Sequence, residues 1–423
     1  MLNKDNEREL AYIIKIDAIE PIIGSDNCEA AVVGGWRVMT RKNTFQPGDY
    51  AVYFEIDSKV PETEPFKFLE KKHYKVKTQK YTFGGKGNFI SQGLLMSLDD
   101  FKDEWGKVPI WLAEFNLKVT NANITKAAGG EEEVEIPYFL TKELGVKYSV
   151  AEDNSRKSKS DKFTKMRARH QKLFRKNKIV QWLWERQWGK EVLFFFLGCK
   201  KDKRGWPDWV RKTDEERCQN LPQLFPGDGT KWIVTEKIDG SSTTFTYRRK
   251  GKSKGFFVCS RNVCFDTPAK AEKCYYDTNI YLEMAEKYNI EEKLKDILEQ
   301  YGEKYDFVTL QGETYGEGVQ KRTYGLQGHD FMAFNLIFGN DINNQYRVNS
   351  ETMRIILLGY EIPSVPILDT DYQLPQTCDD LLAFADGESQ IDGKTREGIV
   401  LRTQDGESSF KAVSNKFLLE YKE

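Results

Sequence analysis

Histidine is scarce: His73, His170 and His329 are the only three in 423 residues. They lie far apart in the chain, so a histidine-rich metal site or a Ser-His-Asp hydrolase is not the expected chemistry. Cysteine supplies no framework either. The seven (Cys28, Cys199, Cys218, Cys259, Cys264, Cys274, Cys378) are odd in number and contain no C-x-x-C pair. That pattern suits reduced thiols in a cytosol-like compartment better than disulfides or a zinc ribbon. Long apolar runs are missing too. The most apolar, VLFFFL at 192–197, falls far short of the ~20 residues that span a bilayer. The opening MLNKDNER has no apolar core of a secretory signal. The expected location is cytoplasmic or nuclear, with no membrane partner. Net charge is also lacking: 64 Lys+Arg against 65 Asp+Glu leaves -1. This excludes a wholly basic nucleic-acid binder but leaves the placement of charge open. Lysine, arginine and carboxylates remain to carry the chemistry.

What is present suits a soluble globular chain, 39% hydrophobic and 13% aromatic, long enough for two or three domains of roughly 150 residues. Charge is placed unevenly. Residues 156–178 hold eleven Lys/Arg and one acid, Asp161, and an acidic patch at 131–133 follows Gly129-Gly130. These features predict a connector over 106–205 between an N-terminal domain, 1–105, and a C-terminal domain, 206–423. The first reads as all-β: LAYIIKI at 10–16 and YAVYFEI at 50–56 are β-branched and aromatic runs. QPGD at 46–49 and the glycines at 84–87 read as turns. About five strands fit an OB-fold, although periodicity alone does not separate it from another small barrel. The connector predicts a helix over 163–188, with Leu173, Ile179, Val180, Leu183 and Trp184 at helical spacing between Lys and Arg. Its basic face has three readings: a solvated surface, a nucleic-acid contact, or a membrane-surface helix. The C-terminal domain mixes strands at 232–235, 244–247, 256–259, 305–310, 331–338 and 398–402 with helices over 281–301, 350–358 and 378–385. That is an α+β pattern with largely antiparallel sheets.

The sharpest segment is TEKIDGSS at 235–242. Lys237 and Asp239 stand two residues apart, on one face of an extended chain, before a glycine turn. A lysine becomes a nucleophile when its pKa is lowered, but K-x-D-G alone also fits a structural ion pair. Further segments follow in order: SRN at 260–262, LQGETYG at 310–316, FMAFN at 331–335, REGIVLR at 396–402 and SFKAVSNK at 409–416.

Together these six segments resemble the nucleotidyltransferase motifs of ATP-dependent polynucleotide ligases and capping enzymes. The nearer resemblance is to the fifth RNA ligase family, which carries an N-terminal OB domain. The lead-in RKTDEERCQN at 211–220, GWRVM at 35–39 and QPGDYAVY at 46–53 also resemble that family. Only twelve residues follow Lys411, so a second barrel after the last motif is not expected. The resemblance implies an OB-fold followed by an ATP-grasp-like nucleotidyltransferase domain, and a monomer. It implies an ATP-dependent RNA ligase acting on 3′-OH and 5′-phosphate ends, nicked duplexes included. Alternatives are a DNA ligase, a tRNA-type end ligase, or an OB-containing RNA-binding protein that has lost catalysis.

By the same resemblance Lys237 attacks the α-phosphorus of ATP and carries AMP. Lys411 contacts the α-phosphate and lowers the Lys237 pKa, and Arg261 contacts the nucleotide or the RNA end. Glu313 holds the ribose, Phe334 stacks on adenine, and Glu236 completes the nucleotide contacts. Asp239, Glu397 and Asn335 manage Mg²⁺ or Mn²⁺, partly through its waters. Two residues depart from the family pattern. Val413 stands where relatives often have a second lysine, so that Lys416 or Arg402 substitutes or one phosphate contact is absent. Asn335 stands where relatives often have an acid, and adds no charge. The barrel either binds nucleic acid or helps to orient the leaving group, with Arg41 and Lys42 as candidate contacts.

Overall fold

In the strand Trp36–Arg41 buried and half-exposed positions alternate, as they must where one face of a pleated strand lies on a core. It closes an antiparallel sheet in the order Ala18–Pro21, Cys28–Val33, Trp36–Arg41. A second sheet runs Tyr138–Phe139, Ala11–Lys15, Tyr50–Phe54, Leu94–Ser97. These facts come from a computed structural model that describes all residues except 2, 4–6, 84–87, 104, 132, 149–166, 168–170, 198–202, 205, 252–253, 262, 266–278 and 422–423. The turn expected at 84–87, Asn262 and most of the basic run at 156–178 lie outside the described residues.

The Tyr50–Phe54 strand is apolar on both faces because it serves two cores. Ala51 and Tyr53 pack with Tyr12 and Trp36, whereas Val52 and Phe54 pack with Phe66 and Phe115. Phe115 comes from the helix Ile110–Ala127, which also buries Trp111 and Leu112. Tyr138–Phe139 then pairs with the Ala11–Lys15 strand. Residues expected as connector from 106 onward therefore contribute a helix and an edge strand to the N-terminal core. The boundary at 105 reflected the local charge and glycine content, not the apolar face of this helix. Among the described residues of the stretch expected as one helix over 163–188, short helices form instead, Gln171–Lys176, Lys178–Trp184 and Gln187–Leu197.

The C-terminal domain is built on two sheets. The larger has the order Lys203–Arg204, Cys264–Phe265, Gly255–Ser260, Ser241–Arg248, Phe307–Gly316, His329–Gly339, Gln345–Arg347. Helices Ile280–Lys287, Ile290–Tyr301 and Ser350–Gly359 cover one face, burying Met284, Leu294, Ile297 and Leu357 against Phe245 and Phe331. The single helix expected over 281–301 is broken at Asn289, whose φ of 47° is left-handed, a conformation that Asn tolerates better than most residues. The smaller sheet has the order Glu216–Arg217, Ser409–Val413, Gly398–Thr403, Lys231–Lys237, Ile367–Gln373. All its described pairs are antiparallel except Glu216–Arg217, which runs parallel to Phe410 and Lys411.

The two domains are joined by hydrogen bonds and by shared core. The Gly35 N–H donates to the Gln219 carbonyl at 2.8 Å, and Trp36 Nε1 donates to Asn220 Oδ1 at 2.6 Å. Val413 and Leu418, from the last strand and last helix, are buried in the N-terminal core beside Trp36 and Tyr53. Among the described residues, no helix is long and apolar enough to cross a membrane.

Candidate active site

Strand Lys231–Lys237 ends in the smaller sheet, and strand Ser241–Arg248 begins in the larger one. Asp239 and Gly240 form the corner between them. A Cβ on Gly240 would stand 2.5 Å from the Thr314 carbonyl oxygen, so only glycine lets the corner approach the larger sheet this closely. The corner is held by the Asp239 N–H donating to Tyr324 Oη at 2.8 Å and by Gln320 Nε2 donating to the Gly240 carbonyl at 3.0 Å. Lys237 is thereby fixed at the mouth of the cleft between the sheets. The cleft encloses about 670 Å³ including its open side and is lined by Asp214, Glu215, Lys237, Arg261, Glu313, Phe334, Arg402 and Lys411, among others.

Strand parity selects these side chains. Thr235 pairs with Val400, and Val400 pairs with Lys411. Side chains two apart along a strand share a face, so Lys237, Arg402 and Lys411 reach the same cleft. Glu236 has the opposite parity. It borders the cleft; its Oε2 accepts the Gln390 N–H at 2.8 Å, which orders a loop, while its Oε1 has no hydrogen-bond partner among the described residues. Phe334 enters the cleft through a β-bulge. Gln311 pairs with Asn335 and Gly312 with Ala333, leaving Phe334 as the extra residue, and a bulge re-aims a side chain. The Arg402 guanidinium carbon lies 5.8 Å from the centre of its ring.

Lys237 Nζ donates to Glu397 Oε2 at 2.6 Å. Burial works to lower the lysine pKa, but Glu397, Glu313 and Asp239 outweigh it and hold the amine above its ordinary value. Lys411 and Lys237 do repel each other, so Lys411 acts in the expected downward direction but is outweighed in the protein alone. Lys411 is itself lowered, to about 8, first by burial and further by Arg8, Arg217 and Lys237. Its Nζ is bonded to Asp214. Glu313 is pushed up to about 8 by burial, with Glu397 and Asp239 adding repulsion that Lys237 only partly offsets.

Asn335 is not among the residues lining the cleft; it is buried, and its amide donates to Gln311 Oε1 at 3.0 Å. Asp239 is also buried, at the corner, and acts on Lys237 and Glu313 through its charge. Val413 is apolar because it packs in the N-terminal core. Of the two candidates to replace the missing lysine, Lys416 is exposed and away from the cleft, whereas Arg402 lines it. Arg402 is pinned by Glu215 at 3.0 Å. Arg41 and Lys42 are exposed on the N-terminal domain.

Sequence reasoning assigned no role to Asp214, Glu215 or Arg8. Asp214 accepts from Arg8 Nε, Arg261 Nη2 and Lys411 Nζ, each at 3.0 Å. Burial alone would raise its pKa, yet Lys411, Arg8 and Arg261 hold it far below the carboxylate range. The only signal was the run of three acids inside the lead-in RKTDEER at 211–217.

A lysine at the corner between two antiparallel sheets, ringed by carboxylates and backed by further cations, defines a nucleotidyltransferase. Residues 230–413 match the RNA ligase family, and residues 10–98 match an OB-fold domain. The chain thus carries an RNA ligase domain behind an N-terminal OB-fold domain. Solved structures of Naegleria gruberi RNA ligase are similar at 26% identity. One variant with ATP and Mn aligns over 98% of this chain and 100% of that one, with a TM-score of 0.68. Another with AMP and Mn covers 98% and 99% at 0.68, and the enzyme with PPi covers 98% and 99% at 0.66. No curated protein matches significantly.

Proposed function

We propose that the protein is an ATP-dependent RNA ligase that joins 3′-OH and 5′-phosphate ends, including nicks in duplexes, through a lysyl-AMP and an AMP-capped RNA. The observation that carries this reading is the Lys237–Glu397 contact of 2.6 Å in a cleft that also presents Lys411, Arg261, Glu313 and Phe334. Of the ligands named for the similar Naegleria gruberi structures, ATP and PPi are the reactant and leaving group of such a first step, and AMP is the group it transfers.

In that step Lys237 Nζ forms a bond to the α-phosphorus, and the bond to the β-phosphate oxygen breaks with pyrophosphate taking the electron pair. The Lys237 ammonium first gives a proton to Glu397 Oε2, the acceptor it already bonds at 2.6 Å; the freed amine forms the new bond, and its excess proton leaves with the pyrophosphate. AMP then passes to the RNA 5′-phosphate, and the 3′-OH displaces it, so one difficult condensation becomes easier displacements. Lys411, Arg261 and Arg402 face the phosphoryl charge that develops. Glu313 meets the ribose and Phe334 the adenine face.

Three carboxylates, Glu397, Glu313 and Asp239, act on the one Lys237 ammonium, an excess of negative charge that fits a divalent cation. Among the described residues no group of three or more His, Cys, Asp or Glu is placed to hold a metal directly. Asp239 and Glu397 would therefore hold Mg²⁺ or Mn²⁺ through its waters, where it supplies positive charge.

The test incubates the protein with labelled ATP, GTP or NAD⁺ and a divalent metal, and follows covalently retained label. Label from ATP on the parent protein, absent from Lys237→Ala, is expected. No label on the parent, or undiminished label on the variant, would overturn the mechanism. Nicks that differ only in the sugar at the 3′-OH side separate RNA joining from DNA joining.

A further inference from the structure

The three short helices between the domains have a small core of their own. Phe174, Val180 and Leu193 are buried, with Leu183, Trp184 and Leu197 packed against them. Four other large apolar side chains of the trio, among the described ones, point outward. Trp182 is 48% exposed, Trp188 56%, Phe195 76% and Phe196 75%. Residues with no part in the local core are thus held in place by a core that does not need them.

Cations lie on two of the tryptophans, the exposed Trp182 and the half-buried Trp184. The Arg186 guanidinium carbon sits 3.9 Å above the centre of Trp182, and its Nη1 donates to the Trp182 carbonyl at 2.8 Å. Lys190 and Arg167 each lie 5.3 Å from the centre of Trp184. Trp188 meets Trp182 edge-on at 5.9 Å. Residues 171–197 hold six Lys/Arg against two acids in a chain whose net charge is -1. The run at 156–170 that leads into them holds seven against one.

We propose that this aromatic and basic surface binds single-stranded RNA flanking the ends to be joined. The proposal rests on the ligase reading above, because it takes the substrate strand as the occupant. Exposed rings stack on bases of any sequence, and cations beside them meet the phosphates. An interfacial membrane helix separates its charged face from its apolar one; here Arg186 and Lys190 share a face with the rings they cover.

The experiment uses the full chain and a fluorescently labelled 20-nucleotide RNA single strand, titrated at several salt concentrations. Changing Trp188, Phe195 and Phe196 together to Ala is expected to weaken binding roughly tenfold or more. Restoring a ring with Trp188→Phe should recover part of that loss, which a folding defect would not allow. Changing Arg186 and Lys190 to Glu should reduce the salt dependence. AMP transfer to Lys237 should be unchanged in all these variants, since none of them lines the cleft. Parent-like RNA affinity in the triple variant would overturn the proposal. So would binding to phosphatidylserine vesicles, but not to RNA, by the parent protein. Failure of the ligase reading is separate, since it shows as missing label on Lys237 whatever the RNA affinity.

Discussion

Asp214 Oδ1 accepts a hydrogen bond from Lys411 Nζ at 3.0 Å, while the other oxygen of the same carboxylate holds Arg8 and Arg261. One internal anion thus gathers two cleft cations and one from the N-terminal domain in the region where phosphate is expected.

Asp214→Asn should release this set. Triphosphate binding, measured by calorimetry with Lys237→Ala as the common background, should tighten several-fold because the ligand no longer displaces an internal anion. Thermal stability should fall by about 1–3 kcal/mol, less than for a fully buried pair because Asp214 is partly exposed. Weaker nucleotide binding would mean that Asp214 supports the site instead of competing for it.

Phe334→Ala should raise the ATP KM by about five- to a hundredfold through loss of base stacking, worth roughly 1–3 kcal/mol, with a smaller change in kcat. Phe334→Trp should retain most of the affinity. Steady-state AMP transfer measured for the two variants checks this.

Glu313 gives a pH dependence. Its folded pKa of about 8 lies above the ordinary 4.5, so folding takes up a proton between those values. The contribution is full below pH about 4.5 and is lost as pH rises through 8. Glu313→Gln should therefore match the parent melting temperature near pH 5 and exceed it by a few degrees near pH 9. A constant difference across that range would refute the assignment.

Gly35 is the contact point of the N-terminal domain on the lead-in segment. A Cβ there would stand 2.6 Å from the Gln219 Cα. Gly35→Ala should cost about 1–3 kcal/mol and reduce AMP transfer, because the displaced segment continues from Asp214 and Glu215. Differential scanning calorimetry and the labelling assay read the two effects separately.

Much of this was legible in the sequence, for identifiable reasons. The strand that ends at Lys237 has apolar residues before it and a required glycine after it, so local chemistry announces the corner. Glu397 and Lys411 were legible through the motif pattern. Asp214 was not, because its importance comes from partners 206, 47 and 197 residues away in sequence. Phe334 was named from its motif, but the bulge that aims it depends on a register between two strands that no single strand encodes. Asn335 is set by the same register: its NH2 goes to its partner Gln311, while its Oδ1, the atom a metal-bound water would use, has no hydrogen-bond partner among the described residues. The helix Ile110–Ala127 was hidden by the polar, glycine-containing stretch that follows it.

The burial of Val413 and Leu418 in the N-terminal core has a consequence for the order of assembly. Chains are made from the N-terminus, and domains generally fold as they emerge. Here the first domain reaches its full core only when residues 413–418 have been added. Until then the surface around Trp36 and Tyr53 waits for its apolar cover, and contacts of such long sequence separation form slowly. A protein shortened after residue 412 would lose part of its first domain as well as its last helix.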